Sequence, residues 1–296
     1  MYIFVFTANL FRQLISLPST IREPKIRYVT DQRKKIDYLD IPEGEFNLHL
    51  RSESVITTNL GDIHVQLSTH ASPSAIQWLQ SLINGPIYRE GLSGEPVGYY
   101  HGLGFDYSKA KIDVRISARP PTSAILTPIQ INAHSLDLHT KTIKTEGEAM
   151  QLWQNDLYPS WQKQRSQNNI NSTLQKWADL FDKSMSAKFL VGMDKKTILE
   201  AKGFQFTQEV TSLPPVKGSV ALVPASKAQA TPALSFFLKD MPNRTGKWMV
   251  IGNVTKGFDI LQKISELRGM GQHDYRDRKH RILDPVSLRN IQWICH

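Results

Sequence analysis

Apolar and polar positions alternate with period two where the chain first becomes readable. Over residues 54–68 (SVITTNLGDIHVQLS), Val55 and Thr57 precede an Asn-Leu-Gly-Asp turn, and Ile63, Val65 and Leu67 follow on one face. Two short alternating runs joined through Gly-Asp predict a β-hairpin. The period then lengthens. In residues 75–83 (AIQWLQSLI), Ile76, Leu79 and Ile83 recur at spacings of three and four, with Trp78 and Leu82 beside them. Ser72 as cap and Pro73 at the first position mark the start of that helix. Residues 111–116 return to period two, Ile112, Val114 and Ile116 opposing Lys111, Asp113 and Arg115. Further strands are predicted at 218–223 (GSVALV), 235–238 (SFFL), 248–254 (WMVIGNV) and 286–294 (VSLRNIQWI). A second amphipathic helix over 257–267 carries Ile260, Leu261, Ile264 and Leu267 on its apolar stripe. Many short strands framed by two helices predict a mainly β chain closed as an antiparallel barrel.

Between 118 and 217 the period is helical instead. Residues 146–165 place Met150, Trp153 and Leu157 on one stripe, broken near Pro159. Residues 171–189 repeat Leu174, Trp177, Leu180 and Phe181, with Asn171 or Ser172 as cap and Met185 one turn on. A third short helix is expected over 194–202. So long a connection should carry its own structure, which makes it an inserted α-helical subdomain. Aromatic stripes at helical spacing read first as core. The alternative is a partner-binding surface built on Trp153, Trp161 and Trp177, since tryptophan is enriched at interface hot spots.

Charge narrows the partners rather than the fold. Lys and Arg number 36 against 27 Asp and Glu, a formal +9 over 296 residues. That balance favours an acidic partner: RNA, an anionic surface, or an acidic protein face. One basic stretch lies in the first fifty residues, with Arg22, Lys25, Arg27, Arg33, Lys34 and Lys35. A second lies at 268–281, where Arg268, Arg276, Arg278, Lys279 and Arg281 face Asp274 and Asp277. Each reads either as a phosphate contact or as a solvated face. The first thirty residues hold a single acid, Glu23, which suits an organelle transit peptide; an arm packed on a neighbouring chain is the other reading. A mitochondrial setting is expected, with the cytoplasm as alternative. No window approaches 18 consecutive apolar residues, so no spanning helix is expected. The single Cys295 excludes an internal disulfide and a Cys-rich zinc site. His134 and His139 stand five apart without acidic or thiol companions, and no nucleophile elbow, Walker loop or dinucleotide fingerprint occurs. No metal and no cofactor are expected.

The succession TNLGDIHVQL, ASPSAIQWLQSL, GYYHGLGF, GSVALV, SFFL, GKWMVIGNVTKGFDILQKI and VSLRNIQWI resembles the cyclophilins. The resemblance covers about 51–117 and 218–296. It implies an eight-stranded closed barrel capped by two helices, and an ancestral activity of cis/trans isomerisation at X-Pro bonds. It also divides the chain into an arm (1–50), a first barrel part (51–117), the helical insertion (118–217) and a second barrel part (218–296).

At the positions the family uses for chemistry, this chain departs. X-Pro isomerisation faces a barrier of about 20 kcal/mol. The family lowers it with an apolar proline pocket and the arginine of a Phe-His-Arg triplet, which here reads Phe105-Asp106-Tyr107. A phenol offers one weak donor and no fixed charge in place of a guanidinium. Arg115 stands where the family has a glutamine, and Ser235 where it has another. Phe236 and Phe237 match a phenylalanine pair of which one floors the pocket. Asn243 and Arg244 replace a tryptophan-leucine wall, Trp248 replaces a histidine, and the 223–237 loop is about two residues longer with Pro224 in it. The resemblance therefore implies a degenerate member serving as a subunit of a larger protein assembly. An isomerase with a site rebuilt around Arg115, Phe105 and Phe237 is the alternative. A peptide-binding chaperone without turnover is a third reading.

Overall fold

The predicted hairpin is the start of the sheet. In the computed structural model, β1 (Glu53–Thr58) and β2 (Gly61–Leu67) pair antiparallel, Ile56 opposite Ile63. The Thr58 hydroxyl donates to the Gly61 carbonyl at 2.8 Å and accepts from the Leu60 N–H at 3.0 Å, closing the turn. The structure describes residues 53–84, 88–89, 96–97, 99–100, 103–107, 112–116, 126–266 and 288–293. Arg22, Lys25, Arg27, Arg33, Lys34, Lys35, Arg268, Arg276, Arg278, Lys279, Arg281 and Cys295 lie outside the described residues.

Helix α1 (Pro73–Asn84) follows with Ile76 and Leu79 buried as expected, but Leu82 rather than Ile83 completes the buried stripe, Ile83 being only partly buried. Its start differs in one detail from expectation. The Ser72 hydroxyl donates to the Ala71 carbonyl at 2.6 Å, while its backbone carbonyl accepts the first helical bond from Ile76 N at 2.9 Å. Next come the ribbon β3 (Tyr88–Arg89) and β4 (Pro96–Val97), then β5 (Phe105–Tyr107), β6 (Asp113–Ile116) and β7 (Thr127–Pro128).

Four helices come before the sheet resumes. Helix α2 (Glu146–Leu152) is capped by Thr145, whose side chain accepts from Glu148 N at 3.2 Å. The break expected near Pro159 is instead a π-turn over Trp153–Leu157, which runs directly into α3 (Tyr158–Ser166). Proline lacks an N–H and its ring crowds the carbonyl four residues back; a widened turn just before it lets the helix continue without that clash. Helix α4 (Ser172–Ser184) is capped by Asn171 and α5 (Lys195–Ala201) by Asp194, whose side chains accept from Leu174 and Thr173 N–H groups and from Thr197 N. Met185 does not extend the α4 stripe: it ends the helix in the left-handed region (φ 51°) with its side chain 72% exposed.

These helices bury Ala149, Trp153, Leu157, Trp161, Leu174 and Trp177 in a cluster of their own. Trp153 stacks on Phe181 at 5.0 Å, and the Trp161 indole N–H donates to Gln175 Oε1 at 2.9 Å. With exposures of 2, 8 and 4%, Trp153, Trp161 and Trp177 are core side chains; they do not present the indole surface that the partner-binding alternative requires.

The sheet then returns with β8 (Ser219–Pro224), β9 (Gln229–Phe237) and β10 (Val250–Lys256), followed by helix α6 (Phe258–Glu266) and β11 (Leu288–Trp293). Strand order is β11-β1-β2-β10-β8-β9-β6-β5, with β7 on the far end of β9. The fold is thus a curled antiparallel sheet with a few helices. The closed eight-stranded ring of the sequence reading is not reached: among the described residues, β11 and β5 end the path and do not pair. The concave face buries Ile63, Val65, Val114, Ile116, Phe236 and Ile251, with Ile260, Leu261 and Ile264 of α6 against it. Each such side chain stabilises the fold by roughly 1.5–3 kcal/mol. A small cavity there, lined in part by Ile56, Leu67 and Leu234, is about 10 Å³, room for at most one water. At Gly252 β10 runs so close to β2 that a Cβ would lie 2.3 Å from the Gln66 carbonyl oxygen, which only glycine tolerates.

Candidate functional site

Period-two geometry sends neighbouring residues of β6 and β9 to opposite faces. Val114, Ile116, Leu234 and Phe236 go inward. Asp113 and Arg115, paired in register with Phe237 and Ser235, go to the convex face. There Phe237 packs with Ala221, Met241 and Val250, and with the partly buried Trp248. The turn through Pro242–Arg244 folds over this face, held by the Met241 N–H on the Pro215 carbonyl at 2.8 Å. A surface of the sheet thereby becomes an interior.

At its centre lies Asp113, fully buried. Its Oδ2 accepts three hydrogen bonds: from Arg115 Nε at 2.8 Å, Ser235 Oγ at 2.7 Å and Arg244 Nη1 at 3.0 Å. The Arg244 side chain is 11% exposed and that of Arg115 33%. Both guanidiniums also lie over the Trp248 ring, Arg244 at 4.1 Å and Arg115 at 5.5 Å from its centroid. Arg244 reaches the Phe237 ring as well, at 5.1 Å, and Phe237 meets Trp248 edge to face at 5.8 Å. The cluster holds two cations, one carboxylate, one hydroxyl and two aromatic rings. A carboxylate without solvent is tolerable only with charge partners and donors of this kind.

Of the eight positions the resemblance singled out, five meet here: Arg115, Ser235, Phe237, Arg244 and Trp248. Three do not. Phe105 lies on the concave face, 4% exposed, among the core side chains. Asn243 is exposed on the turn. Tyr107 is placed only by its backbone, opposite Val114 in β5. The pivotal residue, Asp113, was read from sequence merely as the polar side of a strand. Its signal was present, since aspartate is depleted from strands and shares a face with the arginine two residues on.

Chemically, the cluster has no uncommitted group at its heart. The Arg115 Nε–H is committed to Asp113, and the fully buried Phe237 ring is covered by Arg244 and Trp248. The Arg115 side chain as a whole stays one-third exposed. Elsewhere among the described residues, no group of three or more His, Cys, Asp and Glu side chains forms a metal-type cluster, and the His134 and His139 rings stack on one another at 4.6 Å. No helix of the described residues is long and apolar enough to cross a membrane.

No protein-family profile matches the chain, and no curated protein matches it by sequence. Solved structures do. The chain is similar to the cyclophilin-type peptidyl-prolyl cis-trans isomerase of Cryptosporidium parvum crystallised with the dipeptide Ala-Pro. That match has 13% identity and a TM-score of 0.40 over 82% of this chain and 99% of the other. A second structure of that isomerase matches at 11% identity and TM-score 0.41, over 83% and 99%. A cyclophilin from Hirschia baltica matches at 9% and 0.40, over 83% and 75%.

Proposed function

We propose that this chain is a catalytically degenerate, cyclophilin-like protein whose fold serves as a structural or interaction subunit of a larger assembly. One observation carries the reading: the cations at the former pocket positions are consumed internally by Asp113. Arg244 and Trp248 cover the phenylalanine ring on which a proline would rest. A substrate amide needs a free donor at its nitrogen and an open apolar floor, and the Asp113 cluster supplies neither. The 118–217 stretch, with its own buried tryptophans, is read as an inserted subdomain, and the basic, acid-poor N-terminal sequence supports a mitochondrial setting.

The experiment is a protease-coupled isomerisation assay on X-Pro peptides with the wild type and Arg115→Ala. No rate above the uncatalysed one in either protein is the expected result. Turnover that disappears in Arg115→Ala would overturn it in favour of a rebuilt site that uses that guanidinium. Saturable binding of the same peptides without turnover would point to a holding chaperone instead.

A further inference from the structure

A second set of cations lies where the helical segment meets the sheet, and it is built differently. Lys195 opens α5, and its N–H bonds the Lys141 carbonyl at 2.9 Å, setting those two residues side by side. The Lys195 ammonium reaches the Pro242 carbonyl at 3.2 Å, against the turn that carries Lys247. At the other end of α5, Lys202 pairs with Asp156 of the π-turn. The Lys202 carbonyl accepts both the Lys227 ammonium, from the β8–β9 turn, and Gln164 Nε2 at 3.2 Å, next to Lys163. Six lysines from five stretches of chain thus gather at one seam, two of them at the ends of α5 and Lys141 with its ammonium on the Leu136 carbonyl at 3.1 Å. Among the described residues, Asp156 is the one carboxylate that ion-pairs with any of them. The acids of α5 are engaged elsewhere, Asp194 as the helix cap and Glu200 on Lys196 at 2.8 Å.

The seam is rigid. At Gly246 (φ 78°) an added Cβ would lie 2.7 Å from Leu138 and 2.8 Å from Leu199, so the turn is pressed against the cluster that joins helices to sheet. Burial, then repulsion from Lys141 and Lys247, holds Lys195 below its ordinary value. Burial together with Lys202 and Lys163 does the same to Lys227, and burial with Lys202, against the pull of Asp156, to Lys247. A fold that gathers like charges without counterions is destabilised by them until an anion arrives.

We propose that Lys141, Lys163, Lys195, Lys202, Lys227 and Lys247 form a binding site for a ligand bearing several phosphate charges. Lysine suits that chemistry. Its compact, rotatable ammonium acts as a point charge on phosphate oxygens, whereas a planar carboxylate is better matched by the arginine fork. The same chemistry is offered by free polyphosphate and by a nucleic-acid backbone.

The test is calorimetric titration of the full chain with inorganic tripolyphosphate at low salt, followed by a twelve-nucleotide RNA. Lys195→Gln/Lys247→Gln is compared with Lys176→Gln/Lys183→Gln, two exposed lysines of α4. Saturable tripolyphosphate binding is expected, weakened roughly tenfold or more in the first pair and unchanged in the second. The first pair should melt no lower than the parent, because it removes repulsion. RNA that competes and shows the same sensitivity assigns the site to a nucleic-acid backbone; tripolyphosphate binding alone assigns it to a free phosphate ligand. No saturable binding of either probe, or binding indifferent to Lys195 and Lys247, overturns the proposal.

Discussion

The Asp113 cluster and the lysine seam both concentrate positive charge, and they do so to opposite ends. Around Asp113 two arginines share one carboxylate that solvent does not reach, and their planar faces rest on Trp248. Every charge has a partner, and the centre works as a lock between β6, β9 and the 241–248 turn. In the seam, at a partly exposed boundary, Lys202 alone of the six lysines ion-pairs with a carboxylate, that of Asp156, among the described residues. Charge there is in excess and the groups are the more mobile kind. Cations matched to an internal anion hold the fold, while cations left in surplus beside it are available for a ligand.

The largest test of that contrast is to remove the anion of the lock. Asp113→Ala leaves Arg244 nearly buried without its partner and should lower unfolding free energy by about 3 kcal/mol in urea titrations. Adding Arg244→Leu and Arg115→Met to it should recover most of the loss, because well-packed apolar groups replace a buried ion pair at little cost. A triple variant no more stable than Asp113→Ala would show that the cluster acts through more than its charges. Gly246→Val combines a side chain at positive φ with contacts under 3 Å to Leu138 and Leu199. It should destabilise by about 2 kcal/mol and weaken tripolyphosphate binding by spreading the seam.

Smaller effects follow at α5. Asp194→Ala removes the cap and should lower stability by about 1 kcal/mol at neutral pH. Burial opposes ionisation of Asp194, but its bonds from Thr197 prevail and hold it below the ordinary carboxylate range. Its contribution is therefore present above that range and lost as pH falls through the depressed value, so wild type and variant should converge on acidification. Lys195→Met should do the reverse and raise neutral-pH stability by roughly 0.5 kcal/mol. The unfolded chain binds more protons than the folded one between the depressed Lys195 value and the ordinary lysine value. Wild-type stability consequently climbs with pH through that window, and the advantage of the variant should shrink. Thermal melts at neutral and alkaline pH check the sign.

Local periodicity carried most of the fold. Alternation in β2 and β6 placed the correct residues inward, and the stripes of α1 and α6 cover the sheet, whereas β1 turns Ser54, Ile56 and Thr58 inward rather than Val55 and Thr57. Long-range events were less legible. Nothing periodic shows that the 241–248 turn folds over the convex face, and that packing alone turns the polar side of β6 into a buried site. Closure of the ring depends on edge pairing between strands far apart in the chain, which residue type does not encode. Met185 looks like a stripe residue by spacing, yet the helix ends one residue earlier. Five of the eight pocket positions do converge, because they sit on register-locked strands and one tight turn. The lysine seam was invisible, since its six members come from five segments of chain, and only Lys195 and Lys202, at the two ends of α5, share one.

The strict inside–outside alternation along β9 also constrains how such a protein can change over time. Ser235 and Phe236 are neighbours on the chain and belong to different compartments of the molecule. A single deleted or inserted codon here would trade the two faces, placing a hydroxyl in the oily interior and a core phenylalanine beside Asp113. The convex centre can therefore be rewritten by substitution but not by shifting the frame of pairing. Core and site share one ruler, and the length of this strand is expected to be more resistant to drift than the residues it displays.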